Sequence, residues 1–478
     1  MRKIVCGALC AVLIAGVLPL AACAKKEPRS RYKITAEYFP RTHTLSAQMT
    51  VDVVNTSDNA YGELKFELWP NAFREGATYR PVSETFEGAA YYKGESFGGI
   101  EIKKVDGVSG YRVCGEDENI LAVTLDRELF PDERTEIVMD FEVTLAEVNH
   151  RLGAGERTVN LANFYPVLCP VGEGGFRELV YAENGDPFVS DCADYSLTLT
   201  VPEGLVAAYG GTGSCTTENG KSVYTIEAEN VRDIAVVLGE FQSVKTEAAG
   251  AEVEYYYLSD ADPSRALGAA AESLKYYADT FCDYAYPRYV VVETDLPYGG
   301  MEYPMLAMIG DVRDDEIAVV VAHETAHQWW YAMVGSDQFE SPWQDEGLAE
   351  FSTALFFGAH EDYGVTYEQA VNASVEAYRA YFSISSQIGG ANTAMNRPLT
   401  SYTGAYEYRS VAYDKGVVLF DRVRTVLGER RFFEALRRYC DAYSGKIATS
   451  ADIVACFAKS GKSTEALFAS FTDGLCVI

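Results

Sequence analysis

Val321-Ala322-His323-Glu324-Thr325-Ala326-His327 is the stretch on which the fold turns. It spells H-E-x-x-H inside an apolar, Ala- and Val-rich segment, which predicts a helix. Residues four apart lie on one helix face, so His323 and His327 can present both imidazoles to one metal ion. Glu324 stands beside them, placed to polarise a water on that metal. The chain has 5 His in 478 residues, so two of them at this spacing around a Glu is a specific signal.

Two His leave a tetrahedral catalytic site one protein ligand short. The next predicted helix, Trp343-Gln344-Asp345-Glu346-Gly347-Leu348-Ala349-Glu350, offers Glu346, 19 positions after His327. A zinc held by His, His and Glu keeps its fourth position for water or substrate. One Zn2+ per chain is therefore expected, on His323, His327 and Glu346. Glu350, one turn further, is placed to hydrogen-bond a ligand His or to face solvent.

H-E-x-x-H, eighteen residues, then Glu in a D-E-G-x-A-E setting resembles the zinc aminopeptidases of the aminopeptidase N and leukotriene hydrolase family. Two further motifs carry the resemblance. Gly299-Gly300-Met301-Glu302-Tyr303 is similar to the family's G-x-M-E-N, with Tyr303 departing at the last position. Tyr413-Asp414-Lys415-Gly416 resembles its Y-x-K-G, with Tyr408 five residues earlier. The resemblance is strongest from about 250 to 425. It implies an N-terminal β-saddle domain, a thermolysin-like catalytic domain and hydrolysis of peptides. It also implies that Tyr413 donates to the oxyanion and that Gly299, Gly300, Met301, Glu302 and Tyr408 line the substrate site.

The pattern along the chain suits an α+β fold in two domains. Period-2 runs such as Leu45–Val53, Leu64–Leu68 and Tyr195–Val201 predict strands with one buried face over residues 31–245. A strand is expected at Val253–Leu258. Asp262-Pro263 then opens a helix reaching about Tyr284. Arg288–Asp295, rich in Val, reads as an edge strand. Beyond it helices are expected over 314–334, 345–358, 366–386, 408–427 and 430–443. Two short ones follow, the first opened by Thr449-Ser450-Ala451-Asp452. The catalytic domain is placed at 246–478.

The first residues read as targeting sequence. Arg2 and Lys3 precede an apolar run from Val5 to Leu20, and Leu20-Ala21-Ala22-Cys23 resembles a bacterial lipoprotein signal. Residues 1–22 would be removed, Cys23 lipidated, and 23–30 would form a tether. The expected location is the outer face of a bacterial cell membrane. A formal net charge of -30 repels phosphate backbones, which argues against nucleic acid as a partner. The 11 Cys include no C-x-x-C, and their spacing pairs none of them.

The expected chemistry is amide hydrolysis at the first peptide bond of a peptide. Glu324 serves as base and then as acid, and Glu302 pairs with the substrate's free ammonium. A thermolysin-type endopeptidase would share the metal ligands without needing Glu302. A catalytically dead, lipid-anchored binding protein would have lost a ligand or the base. Asn163-Phe164-Tyr165-Pro166 lacks the Gln or Glu that family members place in the β domain as a second contact to the amine. His43, His150 and His360 stand outside every motif and read as structural or surface residues.

Overall fold

A computed structural model describes residues 28–310, 312–313, 316–461 and 463–474. The expected signal segment, Cys23 and most of the tether lie outside the described residues. Among the described residues up to Gly239 the chain is built mainly of strands, with a 3-10 turn at Trp69–Phe73 and a four-residue α-helix at Glu87–Ala90. A seven-stranded sheet runs, edge to edge, Thr212–Glu218, Lys221–Val231, Ala193–Pro202, Arg31–Phe39, Thr44–Val54, Arg134–Thr144 and Gly99–Asp106. Burial alternates strictly along Arg31–Phe39 and Ala193–Pro202, so these strands put one face on the core, as their period-2 pattern predicts. Two four-stranded sheets share its apolar core.

The second half opens with a five-stranded sheet in the order Gln242–Ala248, Ala251–Tyr257, Arg288–Glu293, Leu306–Ile309, Gly300–Tyr303. The expected domain break at 245/246 falls inside its first strand. Arg288–Glu293 is central and not at the edge as its sequence suggested. It pairs in parallel with Ala251–Tyr257 on one side and Leu306–Ile309 on the other. Tyr289, Val290, Val291 and Val292 are all fully buried. An unbroken apolar run marks a parallel strand covered on both faces, whereas an edge strand would show polar alternation. The edges belong to Gln242–Ala248 and Gly300–Tyr303.

The rest is mainly helical, with a short parallel pair of Gly335–Ser336 and Ile447–Ala448, and the α+β class is borne out. The helices span Pro263–Thr280, Ile317–Ala326, Trp343–Ala359, Tyr367–Ile388, Lys415–Leu427 and Glu429–Tyr443, with Ser450–Ala458 and Glu465–Thr472 after them. Thr449 and Asp452 form the reciprocal cap read from the sequence. The helix expected over 314–334 is shorter. After Ala326 the backbone widens: Ala332 N–H donates to the His327 carbonyl five residues back, and Val334 to Trp329. The same widening occupies Arg409–Asp414 and interrupts the helix expected over 408–427. Such turns re-aim side chains and recur at functional sites. Cys282 and Cys440 form a disulfide that ties the end of the first helix to Glu429–Tyr443.

Candidate metal centre and cleft

The helix Ile317–Ala326 is held from behind. Val321, Ala322 and Ala326 are fully buried, Tyr277 donates to the Ala322 carbonyl at 3.1 Å, and Tyr289 pairs with the Thr325 hydroxyl at 2.9 Å. The opposite face carries His323, Glu324 and His327 into the cleft. Their partner Glu346 comes from the first turn of Trp343–Ala359. His323 Nε2 and His327 Nε2 are 3.2 Å apart, and each lies 3.4 and 3.3 Å from Glu346 Oε2. Ligands about 2.0–2.1 Å from a tetrahedral zinc are separated by about 3.3 Å. The triangle therefore has the dimensions a zinc requires. Glu346 Oε2 is buried and accepts no hydrogen bond, as a carboxylate oxygen reserved for a cation should be.

The surroundings fix the rings. His323 Nδ1 lies 2.8 Å from Glu350 Oε2, so Glu350 takes the orienting role that the sequence left open. His327 Nδ1 faces the Trp330 carbonyl at 3.3 Å. That carbonyl is aimed by the widened turn, where Trp330 departs from helical angles. Burial alone would strip charge from both rings. The carboxylates around them outweigh it and raise both pKa values, that of His327 to about 10. This is a strongly negative field, and a divalent cation suits it.

Burial pushes the Glu324 carboxyl up to about 7, against the pull of the two His. A group poised there exchanges protons readily near neutral pH. Gly300 passes so close that any side chain on it would run into the Glu324 carboxylate. This glycine thus leaves room for the Glu324 carboxylate, and it also lines the cleft. Gly299 has ordinary clearance, about 3.6 Å from Val320.

Glu302, on the edge strand, is buried within 4.8 Å of Glu324 and His327. Gln338 Nε2 donates to it at 3.3 Å and to Asp345 at 2.6 Å. The strand is pinned because Gln328 donates to the Tyr303 carbonyl and accepts from Met305 N–H. Tyr303, the departure from the family motif, is fully buried and donates to Asn163 Oδ1 of the β half at 3.0 Å. Met301 is buried beside Glu302. Burial, and then the charge of Asp186, push the Glu302 carboxyl well above its ordinary value.

Tyr413 donates to Glu346 Oε1 at 2.5 Å and stacks on the His323 ring, while Tyr408 reaches the same oxygen at 3.4 Å. Asp186 and Arg151, which motif reading missed, form a buried ion pair on the β-half wall. They line a cleft of about 330 Å³ together with Tyr298, Gly300, Glu324 and Tyr413. No local spacing announces them, since they meet the catalytic half only through tertiary packing. His150 is buried against the Pro81 carbonyl, consistent with a structural role. A larger cavity of about 610 Å³ lies elsewhere, lined by Cys169, Cys192 and the 444–449 segment. Each metal-capable cluster among the described residues contains His323 or Glu324, and both line the smaller cleft, which is therefore the candidate site.

Residues 265–471 match the Peptidase family M1 domain, which bears out the resemblance read from the three motifs. Aminopeptidase M1-C of Oryza sativa subsp. japonica is 26% identical over 302 residues, covering 59% of this chain and 34% of its own length. Endoplasmic reticulum aminopeptidase 1 of Homo sapiens is 24% identical over 238 residues, covering 46% and 25%. The chain thus spans about a third or less of these curated relatives. The M1 zinc metallopeptidase from Deinococcus radiodurans superposes with a TM-score of 0.65 at 17% identity, over 94% of both chains. A variant of that protein has been solved with a Tyr-Ser-Ala substrate.

Proposed function

From a chain that carries a Peptidase family M1 domain, we propose a zinc-dependent aminopeptidase that removes the first residue of peptides. The observation that carries this reading is the 3.2–3.4 Å triangle of His323, His327 and Glu346 with buried Glu302 beside it. Zinc held by those three residues would supply Lewis acidity toward a water and toward the scissile carbonyl. Glu324 accepts the proton of the attacking water and passes it to the leaving amine. Tyr413 turns its O–H from Glu346 to the oxygen that becomes negative. Glu302, steadied by Gln338, pairs with the substrate ammonium and fixes the register at the first bond. That requirement separates this reading from a thermolysin-type endopeptidase, which has no use for a buried acid in this position. We further propose that Cys23 carries the acyl chains holding the protein at the outer membrane face. The motif Leu20-Ala21-Ala22-Cys23 supports this, and among the described residues no helix is long and apolar enough to cross a membrane.

The test is Glu324→Gln. The variant should still bind one zinc per chain but lose about three orders of magnitude in turnover of an aminoacyl reporter. Purified wild type that binds no zinc, or keeps full activity in a chelator, would remove the metallopeptidase reading.

A further inference from the structure

A groove of about 510 Å³ adjoins the catalytic cleft, and the two share Val319, Glu350 and Arg409 as lining. It runs between two helix faces. Trp343–Ala359 contributes Thr353, Ala354 and Phe357, and Tyr367–Ile388 contributes Ala370, Ala373 and Ala377. Each set falls at helical spacing, so both helices turn a stripe toward the gap. The small side chains on the second helix keep the gap open. The lining is mostly apolar, and Val319 at its entrance is 40% exposed. Arg409 stands at the junction and is the only cation among the described lining residues of the groove. Glu350 and Asp414 both feel its charge. No carboxylate among the described residues is in ion-pair contact with it. The other guanidinium of the cleft, Arg151, is taken up by Asp186.

Glu302 lies on the edge strand Gly300–Tyr303, while the groove opens on the face of the metal-site helix that carries Val319. A peptide held by its ammonium at Glu302 and crossing the metal ligands would meet Arg409 where the cleft and the groove join. We propose that the groove receives the residue on the leaving side of the scissile bond and selects an apolar side chain there. Arg409 binds the free C-terminal carboxylate of peptides two or three residues long. This rests on the aminopeptidase reading and adds to it a substrate class: short peptides with a free carboxylate and an apolar second residue. Charge complementarity decides the occupant. In a cleft crowded with acids, an accessible guanidinium beside an apolar trough fits a carboxylate attached to an apolar residue.

The test compares kcat/KM for Ala-Leu, Ala-Leu amide and Ala-Gly on the zinc-loaded enzyme. Wild type should prefer Ala-Leu to its amide by about fivefold, the size of one partly exposed ion pair. That ratio should fall to about one in Arg409→Ala and be partly restored in Arg409→Lys. Ala373→Phe, at an exposed position that tolerates bulk, should narrow the preference for Ala-Leu over Ala-Gly. The proposal is overturned by a wild-type ratio of one, by a ratio unchanged in Arg409→Ala, or by a Leu preference untouched in Ala373→Phe. Failure of the wild type to cut any of the three would overturn the aminopeptidase reading as well.

Discussion

At the residue scale, the site is a set of oxygen and nitrogen atoms held apart by their neighbours. Tyr413 is the informative one, because its O–H already sits 2.5 Å from the Glu346 carboxylate. If it serves the oxyanion, Tyr413→Phe should cost about two to three orders of magnitude in kcat. The loss of a single O–H leaves the ring stacked on His323, so KM and zinc content should change little. Near wild-type turnover in that variant would take the oxyanion role away from Tyr413. The neighbours legible in the sequence are those whose spacing is fixed by one element. His323 and His327 are one helical turn apart, and Glu350 follows Glu346 by one turn. Asp186, Arg151 and Gln338 were not legible. Each enters the cleft from a different part of the chain, and an acid or an amide in a loop carries no periodic signal.

At the element scale, two glycines from separate motifs explain each other. A Cβ on Gly416 would stand 2.5 Å from Gly347 Cα, and one on Gly347 would stand 3.0 Å from Gly416 Cα. The helix bearing Glu346 and the helix following Tyr413 therefore touch backbone to backbone. Lys415, fully buried, anchors the second of them by donating to the Thr393 and Phe471 carbonyls. Gly416→Ala should force the helices apart, lowering stability by about 1–3 kcal/mol. It should also move Tyr413 off Glu346, so kcat should fall more than thermal stability alone explains. A folded Gly416→Ala enzyme with unchanged kcat would show that this contact does not set the site. The helices themselves were legible from their apolar periodicity, and their ends were not. The widened turns at 328–333 and 409–414 arise from tertiary demands on the His327 and Tyr413 side chains, and local propensity contains no trace of them. The Val-rich strand was misplaced for a related reason. Its pattern shows burial but not which strands bury it.

At the scale of the whole molecule, the β half acts as a wall of the catalytic cleft. Arg232 of that half is buried and donates to the Tyr331 carbonyl at 2.7 Å and the Ser190 carbonyl at 2.9 Å. Tyr331 in turn donates to Asp233. These bonds lock the widened turn after His327 to the β half, which places Asp186 and Arg151 opposite the metal ligands. The proposed lipid attachment at Cys23 has its own test. Cys23→Ser should release the protein into the soluble fraction or block its processing, whereas full retention on membranes would point to an uncleaved anchor at Val5–Leu20. In the proposed mechanism the buried Glu302 carboxylate beside the metal ligands restricts hydrolysis to the first bond of a free-amine peptide. The most direct measurement gives the zinc-loaded enzyme one peptide in two forms, with a free and with an acetylated N-terminus, and identifies the products. Losing the Glu302 pairing should cost on the order of 2–4 kcal/mol in transition-state binding. The free form should release N-terminal residues stepwise, and the acetylated one should be cleaved hardly at all. Equal cleavage of both forms at internal bonds would contradict that mechanism.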